Sequence, residues 1–123
     1  MTKEPKRGEI WLINLDPTIG SEIQKTRPSV IVSSDFVGKL PLKLVVPMTD
    51  WKDYFAPNFW HICIEFTSEN GLKKRSAADA LQLRTVDLRR FVRRLGVLST
   101  ADLQEIVYAI VSLVEYQEVF DEL

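Results

Sequence analysis

The sequence predicts an α+β fold in which a small, strongly curved antiparallel sheet is followed by one amphipathic helix. Short runs of β-forming residues, separated by turns that contain proline or glycine, recur along most of the chain. The last segment instead repeats apolar residues at spacings of three and four, as a helix packed on a sheet does. With 123 residues, 46% of them hydrophobic, the chain is predicted to form a single domain over residues 1–123 with a substantial core.

The first strand is predicted over Glu9–Leu15, a run rich in β-forming residues. Asp16 and Pro17 end it, because proline has no N–H to donate to a neighbouring strand. The following loop is polar, and Gly20 lets it turn where a side chain would clash.

Arg27 is predicted to lie at a stiff junction between this loop and the second strand. Pro28 fixes its own φ and biases the residue before it towards an extended backbone. The apolar run Val30–Val32 follows at once. The guanidinium of Arg27 is therefore expected to be held in place rather than to move freely in solvent.

Three further strands are predicted from composition and partial alternation. The third strand is expected to stop near Pro47, with Thr49 at its end. Thr85 is expected to cap a short helix that ends before Val92. The three strands are Leu42–Met48, Phe59–Phe66 and Val92–Leu98.

The C-terminal helix is predicted to begin at Ser99–Asp102, where the helix dipole favours the acid in the first turn. One apolar stripe follows and is expected to pack on the sheet. The stripe comprises Leu103, Ile106, Val107, Ile110, Val111 and Val114.

Composition argues against export and against a membrane span. Residues 1–6 lack a hydrophobic signal region, and no stretch approaches the roughly 20 apolar residues of a transmembrane helix. The lone cysteine, Cys63, excludes an internal disulfide and a CxxC metal site, and its apolar neighbours predict a buried structural thiol. A cytoplasmic protein is expected.

The net charge of −1 conceals a segregation of charge along the chain. Residues 73–94 hold eight bases against two acids, whereas residues 99–123 hold six acids and no base. A basic segment can supply phosphate contacts while the acidic segment faces elsewhere. This charge pattern is compatible with RNA binding, although charged residues on ordinary solvent-exposed surfaces would give the same pattern.

Two spaced motifs stand out from the rest of the sequence. The first runs from Arg7-Gly8-Glu9-Ile10-Trp11 through Leu15-Asp16-Pro17 and Gly20-Ser21-Glu22 to Arg27-Pro28, and the second is Gln82-Leu83-Arg84-Thr85-Val86-Asp87. In order and spacing they resemble the MazF/PemK family of toxin endoribonucleases, the toxic halves of bacterial toxin–antitoxin pairs.

This resemblance implies a small SH3-like β-barrel, as in PemK- and CcdB-like toxins. It also assigns Ser76–Leu83 to a strand, although the alanines there favour helix on propensity alone. The implied activity is sequence-specific, metal-independent cleavage of single-stranded RNA without a cofactor. The implied partners are a second copy, in a homodimer, and a cognate antitoxin whose partly disordered acidic segment covers the basic groove.

Metal-independent cleavage uses the substrate's 2′-hydroxyl as nucleophile, so the phosphate needs charge stabilisation and two oxygens need proton transfer. His61 is the only histidine, which excludes a two-histidine pair within one chain, and its apolar strand favours a structural role. The resemblance makes Arg27 catalytic, and its planar guanidinium suits a bidentate grip on phosphate. The alternative for Arg27 is a surface ion pair with Glu9 or Glu22.

The remaining site residues also follow from the resemblance. Thr49 matches the family's catalytic threonine, whose hydroxyl can bond the phosphate or the 2′-oxygen; capping the strand end is the alternative. Ser21 and Glu22 are expected to read exposed base edges, with Lys25 beside them in contact with RNA. Gln82 takes the family's base-contacting position, or is simply a polar strand residue.

One position departs from the family. Some members place an acid directly before the glutamine, where this chain has Leu81. Asp79 lies two residues earlier, on the same face of a strand, and is predicted to bind RNA in its stead; otherwise the base preference differs. No general base is assigned.

Aromatic residues after the third strand are candidates to stack on unpaired bases, or to pack in the core or a dimer contact. Two other functions stay open: a toxin of the same fold that poisons a topoisomerase, and an inactive nucleic-acid-binding dimer. The motifs around Arg27 and Gln82 favour the nuclease. The aromatic residues are Trp51, Tyr54, Phe55, Phe59 and Trp60.

Overall fold

Seven strands and one α-helix make up the fold in residues 4–118, the part of the chain that a computed structural model describes. Single turns of 3-10 helix span residues 35–37, 53–55, 80–82 and 88–90. The strands are β1 (Glu9–Asn14), β2 (Thr26–Ile31), β3 (Leu42–Asp50), β4 (His61–Ile64), β5 (Ser76–Asp79), β6 (Arg84–Asp87) and β7 (Phe91–Val97), and the helix is α1 (Thr100–Leu113).

The strands form one antiparallel sheet in the order β4-β5-β3-β2-β1-β7, and β6 pairs with the start of β3. Because β4 and β7 are the two ends of this order, the sheet is open in the described residues. The predicted α+β class is confirmed, but closure into a barrel is not.

Apolar side chains alternate between the two faces of the sheet, as the two-residue period of a strand requires. One face carries a core with Ile10, Val30 and Val46, which α1 covers through Ile106. The other face carries a second core of buried residues, among them Trp11, Ile13, Leu15, Ile31, Val45, Val86 and Phe91. In residues 4–118, no helix is long and apolar enough to cross a membrane.

The second and third strands are longer than predicted. β2 begins at Thr26, so that Arg27 and Pro28 belong to it, and β3 continues past Pro47 to Asp50. The partner of β3 on one edge changes from β6, paired up to Val45, to β5, paired from Met48. Pro47 lies at this change of partner, where its missing N–H is tolerated.

Two predicted elements are wrong in detail. Thr85 lies in β6 rather than capping a helix, because Asp87 accepts the capping hydrogen bond from Arg89 N instead. The strand predicted over Ser76–Leu83 ends at Asp79, whose carboxylate caps a 3-10 turn.

The helix α1 is confirmed, with Ser99 as its N-cap. Its predicted stripe is only partly confirmed, because Val114 follows the helix and is 72% exposed.

Candidate active site

Arg27 and Thr49 lie together at one end of the β2–β3 pair. The antiparallel register places Ser29 opposite Pro47, and its continuation by two residues brings Arg27 opposite Thr49 on the same face. Both side chains line a cleft of about 290 Å³. The remaining residues of this Arg27 cleft are Asp50, Lys52, Tyr54 and Phe55.

A hydrogen bond within its own loop restrains the Arg27 side chain. Arg27 Nε donates to the carbonyl oxygen of Gln24 at 3.2 Å, and the residue is half-buried. Among the described residues Arg27 makes no ion pair, because Glu9 binds Arg94 and Glu22 accepts from Ile19 N. The terminal nitrogens of the guanidinium are thus available to an anion.

The hydroxyl of Thr49 has no hydrogen-bond partner in residues 4–118, and the side chain is partly exposed. Thr49 is not a strand-end cap, because β3 continues through Asp50 and pairs with β5 at both positions. A free hydroxyl therefore faces the same cleft as the guanidinium of Arg27.

Gln82 fixes the loop between β1 and β2. Its Oε1 accepts from Ile23 N at 3.2 Å, and its Nε2 donates to the carbonyl oxygen of Ser21 at 3.1 Å. The side chains of Ser21 and Glu22 remain exposed on this loop. The structure therefore brings Gln82 and Ser21 together and gives Gln82 a role in holding the loop.

The other end of the same loop closes back on β1. Asp16 Oδ1 accepts from Lys25 N at 3.0 Å, and Leu15 N donates to the Lys25 carbonyl oxygen at 2.9 Å. Lys25 adopts a left-handed φ of 70°, and its side chain is exposed. Two arginines also donate to carbonyl oxygens at this end of β1. Arg84 donates to that of Leu15, and Arg90 donates to those of Asn14 and Asp16. Part of the basic segment is thus occupied in holding the loop.

Asp79 does not line the Arg27 cleft; it forms a buried pair with His61 across β4 and β5. His61 Nε2 lies 3.3 Å from Asp79 Oδ2, and the two side chains are only 10% and 12% exposed. Asp79 Oδ1 accepts from Leu81 N, so both carboxylate oxygens have partners. Burial raises the pKa of Asp79, although His61 and the backbone N–H groups of Leu81 and Gln82 offset part of that rise.

Stacked rings connect this pair to the Arg27 cleft. The ring of His61 stacks on Phe55, with centroids 4.0 Å apart and planes 11° from parallel. Phe55 in turn makes edge contacts with Trp51 and Tyr54. The structural role expected of His61 is therefore specific: it supports the ring that forms one wall of the cleft.

The sequence did not indicate the contact between His61 and Asp79, because it depends on the register in which β4 pairs with β5. Partial alternation in β4 was the available signal. The buried Cys63 predicted from its apolar neighbours is wrong, because Cys63 lies on the His61 side of β4 and is exposed. No group of three His, Cys, Asp or Glu side chains in residues 4–118 is arranged to hold a metal ion.

Residues 6–114 match the family described as PemK-like, MazF-like toxin of type II toxin–antitoxin systems. The chain is 34% identical over 107 residues to endoribonuclease MazF9 of Mycobacterium tuberculosis, a match that covers 82% of this chain and 88% of that protein. It is 32% identical over 105 residues to endoribonuclease MazF of Staphylococcus saprophyticus, covering 85% and 87%.

Solved structures share the fold. The crystal structure of MazF from Deinococcus radiodurans superimposes with a TM-score of 0.80 at 20% identity, over 94% of this chain and all of that one. A mycobacterial endoribonuclease in complex with its cognate antitoxin superimposes with a TM-score of 0.73 at 16% identity, with the same coverage.

Proposed function

This chain belongs to the PemK-like, MazF-like toxins of type II toxin–antitoxin systems, and we propose that its Arg27 cleft cuts single-stranded RNA. The chain is a toxin endoribonuclease, as its curated relatives are named. We further propose that it acts in the cytoplasm, at a short specific sequence and without a metal ion or cofactor.

The observation that carries the proposal is the placement of Arg27 opposite Thr49 in one open cleft. A guanidinium with free terminal nitrogens can bind both non-bridging oxygens of a phosphodiester and stabilise the charge that grows on them. The Thr49 hydroxyl can donate to the same phosphate or accept from the 2′-hydroxyl.

The reaction exchanges one bond at phosphorus for another. The 2′-oxygen forms a bond to phosphorus and loses its proton, while the bond from phosphorus to the 5′-oxygen breaks and that oxygen gains a proton. The products are a 2′,3′-cyclic phosphate and a free 5′-hydroxyl. Arg27 acts by its charge, through hydrogen bonds to the phosphate oxygens, rather than by proton transfer.

The loop held by Gln82 is proposed to read the bases next to the cut. Ser21 and Glu22 present a hydroxyl and a carboxylate to solvent, which suit the donor and acceptor edges of unpaired bases. Lys25 adds an exposed cation beside them, and Tyr54, 74% exposed in the cleft wall, offers a ring for stacking.

A homodimer and a cognate antitoxin are proposed as protein partners. An apolar groove of about 800 Å³ runs between α1 and β4, and it includes the exposed rings of Phe59 and Tyr108. Such a surface supports association with a second copy. The structural relative solved with its cognate antitoxin supports the second partner.

The test is cleavage of a long single-stranded RNA in the presence of a chelator, with Arg27→Ala and Arg27→Lys beside the wild type. Wild-type protein should cut at one short motif and leave cyclic phosphate ends. Arg27→Ala should lose activity by about 10²–10³-fold, the usual cost of removing one charge-stabilising donor. Arg27→Lys should recover little, because an ammonium cannot bind two oxygens in a plane. Intact RNA with wild-type protein, or full activity of Arg27→Ala, would contradict the proposal.

A further inference from the structure

A second cleft lies on the opposite side of the β2–β3 pair from Arg27. Neighbouring residues of a strand point to opposite faces, so Pro28 faces away from Arg27. This second cleft has a volume of about 250 Å³, and we refer to it as the lysine cleft. Its cations are Lys73, Lys74 and Arg93, and Leu12, Pro28 and Leu72 contribute apolar surface.

The lysine cleft carries an excess of positive charge. Asp50 is its one acid, and Asp50 Oδ2 lies 3.7 Å from Lys74 Nζ. Lys73 and Arg93 are exposed, and neither makes an ion pair within residues 4–118. Two cations are therefore left without a counter-charge at the rim of one concave surface.

Close backbone packing joins the two segments that carry Lys73 and Arg93. Gly71 has a left-handed φ of 70°, and a Cβ there would lie 2.1 Å from the carbonyl oxygen of Leu95. The loop before Lys73 is also joined to β7 by the bond from Val97 N to Glu69 O, at 2.8 Å. Because β7 carries Arg93, the two charges are held on one packed unit.

The two clefts adjoin at Asp50, the last residue of β3. Asp50 lines both of them, and Pro28 of the lysine cleft directly follows Arg27. A flexible strand that places one phosphate on Arg27 can therefore pass Asp50 and reach Lys73 and Arg93. Binding of single strands commonly combines such a charged groove with adjacent apolar surface.

We propose that the lysine cleft binds backbone phosphates of the same RNA, in nucleotides that flank the cut. This inference rests on the proposed function, since it extends the RNA path from the Arg27 cleft. Its contacts are to phosphate and carry no base preference, so they add affinity without changing the cleavage motif.

The test compares Lys73→Gln/Arg93→Gln with Lys39→Gln/Lys43→Gln, which removes the same charge at the opposite end of β3. Two RNAs are used: one with the mapped cleavage motif alone, and one extended by about eight nucleotides on each side, within the range of single-strand site sizes. For binding, a 2′-deoxy nucleotide at the cut site prevents cleavage. Lys73 and Arg93 are both exposed, so the variant that replaces them should have the melting temperature of the wild type.

For the extended RNA, the lysine-cleft variant should bind more weakly. The slope of log K against log salt should become flatter by about 1.4, because each lost phosphate contact on a single strand contributes about 0.7. The short RNA should be cut at the wild-type rate, and the Lys39/Lys43 variant should keep the wild-type slope. An unchanged slope overturns the inference, as does an equal change in the Lys39/Lys43 variant. Weaker antitoxin binding with an unchanged RNA slope overturns it too, in favour of a protein ligand. Failure of the proposed function appears separately, as wild-type protein that cuts neither RNA.

Discussion

His61 Nε2 lies 3.3 Å from Asp79 Oδ2, in a cross-strand pair that is almost completely buried. His61 Nδ1 also lies 3.2 Å from Asn58 Nδ2, so that both ring nitrogens have polar partners. The face of the same ring stacks on Phe55, which lines the Arg27 cleft. A polar pair inside the sheet thus determines where one wall of the cleft stands.

The burial of Asp79 predicts a pH-dependent stability. Its pKa is raised above the ordinary value of 3.8, so between 3.8 and the raised value the folded state binds more protons than the unfolded state. The free energy of unfolding should therefore fall as pH rises through this window. Asp79→Asn, which cannot titrate, should show a smaller fall in urea unfolding measured across the window. Glu105→Gln, at an exposed acid of α1, is the control and should keep the wild-type profile. Parallel profiles for wild type and Asp79→Asn would show that this carboxyl does not contribute.

Removing the Gln82 amide should release the β1–β2 loop. Gln82→Met keeps the length of the side chain but loses the bonds to Ile23 N and the Ser21 carbonyl oxygen. Two lost hydrogen bonds predict a loss of about 1–3 kcal/mol in local or global stability. Amide hydrogen exchange at Ile23 should accelerate, and RNA cleavage should fall. Ser21→Ala is the matched control, because the bond uses the Ser21 backbone: its exchange rate at Ile23 should stay at the wild-type value. If the Ile23 amide exchanged as slowly in Gln82→Met as in the wild type, Gln82 would not hold the loop.

The free hydroxyl of Thr49 predicts a difference between two substitutions. Thr49→Val preserves shape but removes the hydroxyl, and Thr49→Ser retains it. A hydrogen bond to a charged phosphate is worth about 1.5–3 kcal/mol, so Thr49→Val should cut RNA roughly 10- to 100-fold more slowly. Thr49→Ser should stay within a few-fold of wild type. Single-turnover cleavage of one defined RNA measures both, and equal rates for the two variants would remove Thr49 from the catalytic site.

Gly96 should be intolerant of a side chain for steric reasons. A Cβ at Gly96 would lie 2.2 Å from the carbonyl oxygen of Glu69 and 2.5 Å from the carbonyl carbon of Asn70. Gly96→Ala must push this loop away from β7, at a cost of roughly 1–3 kcal/mol typical of overpacking. Val97→Ala, at the exposed neighbouring position, is expected to change the free energy of unfolding much less. Chemical denaturation of both variants gives the comparison, and equal midpoints would mean that the loop yields without cost.

Several elements were predictable because their signals are local. A run of β-forming residues predicted strand β1. Apolar residues repeated at spacings of three and four, after the N-cap Ser99, predicted helix α1. The Thr85 helix was wrong because pairing with the start of β3 outweighed a capping signal that is weak on its own. The barrel predicted by resemblance is not confirmed in the described residues, since closure depends on how distant edges meet.

The residues of the candidate site fall into the same two groups: those predictable from local sequence, and those whose contacts depend on the fold. Two spaced motifs identified Arg27, Ser21, Glu22 and Gln82, because the order and spacing of a motif can be read directly from the sequence. Their RNA contacts, and those of Lys25 and Asp79, stay predictions. The partners of Asp79 and the lysine cleft were not predictable, because each joins residues whose separation is set by strand register.

By itself the sequence determined which residues lie on each face of the sheet, where the helix begins and which residues can bind a phosphate. Alternation, capping and side-chain chemistry decide these three features, and all three depend only on residues that are close together in the chain. The tertiary structure alone decided that Thr49 stands opposite Arg27, that Gln82 holds the loop, and that His61 and Asp79 are buried together. These relationships arise from hydrogen-bonded register between strands, and register minimises the free energy of the whole sheet rather than of any one segment.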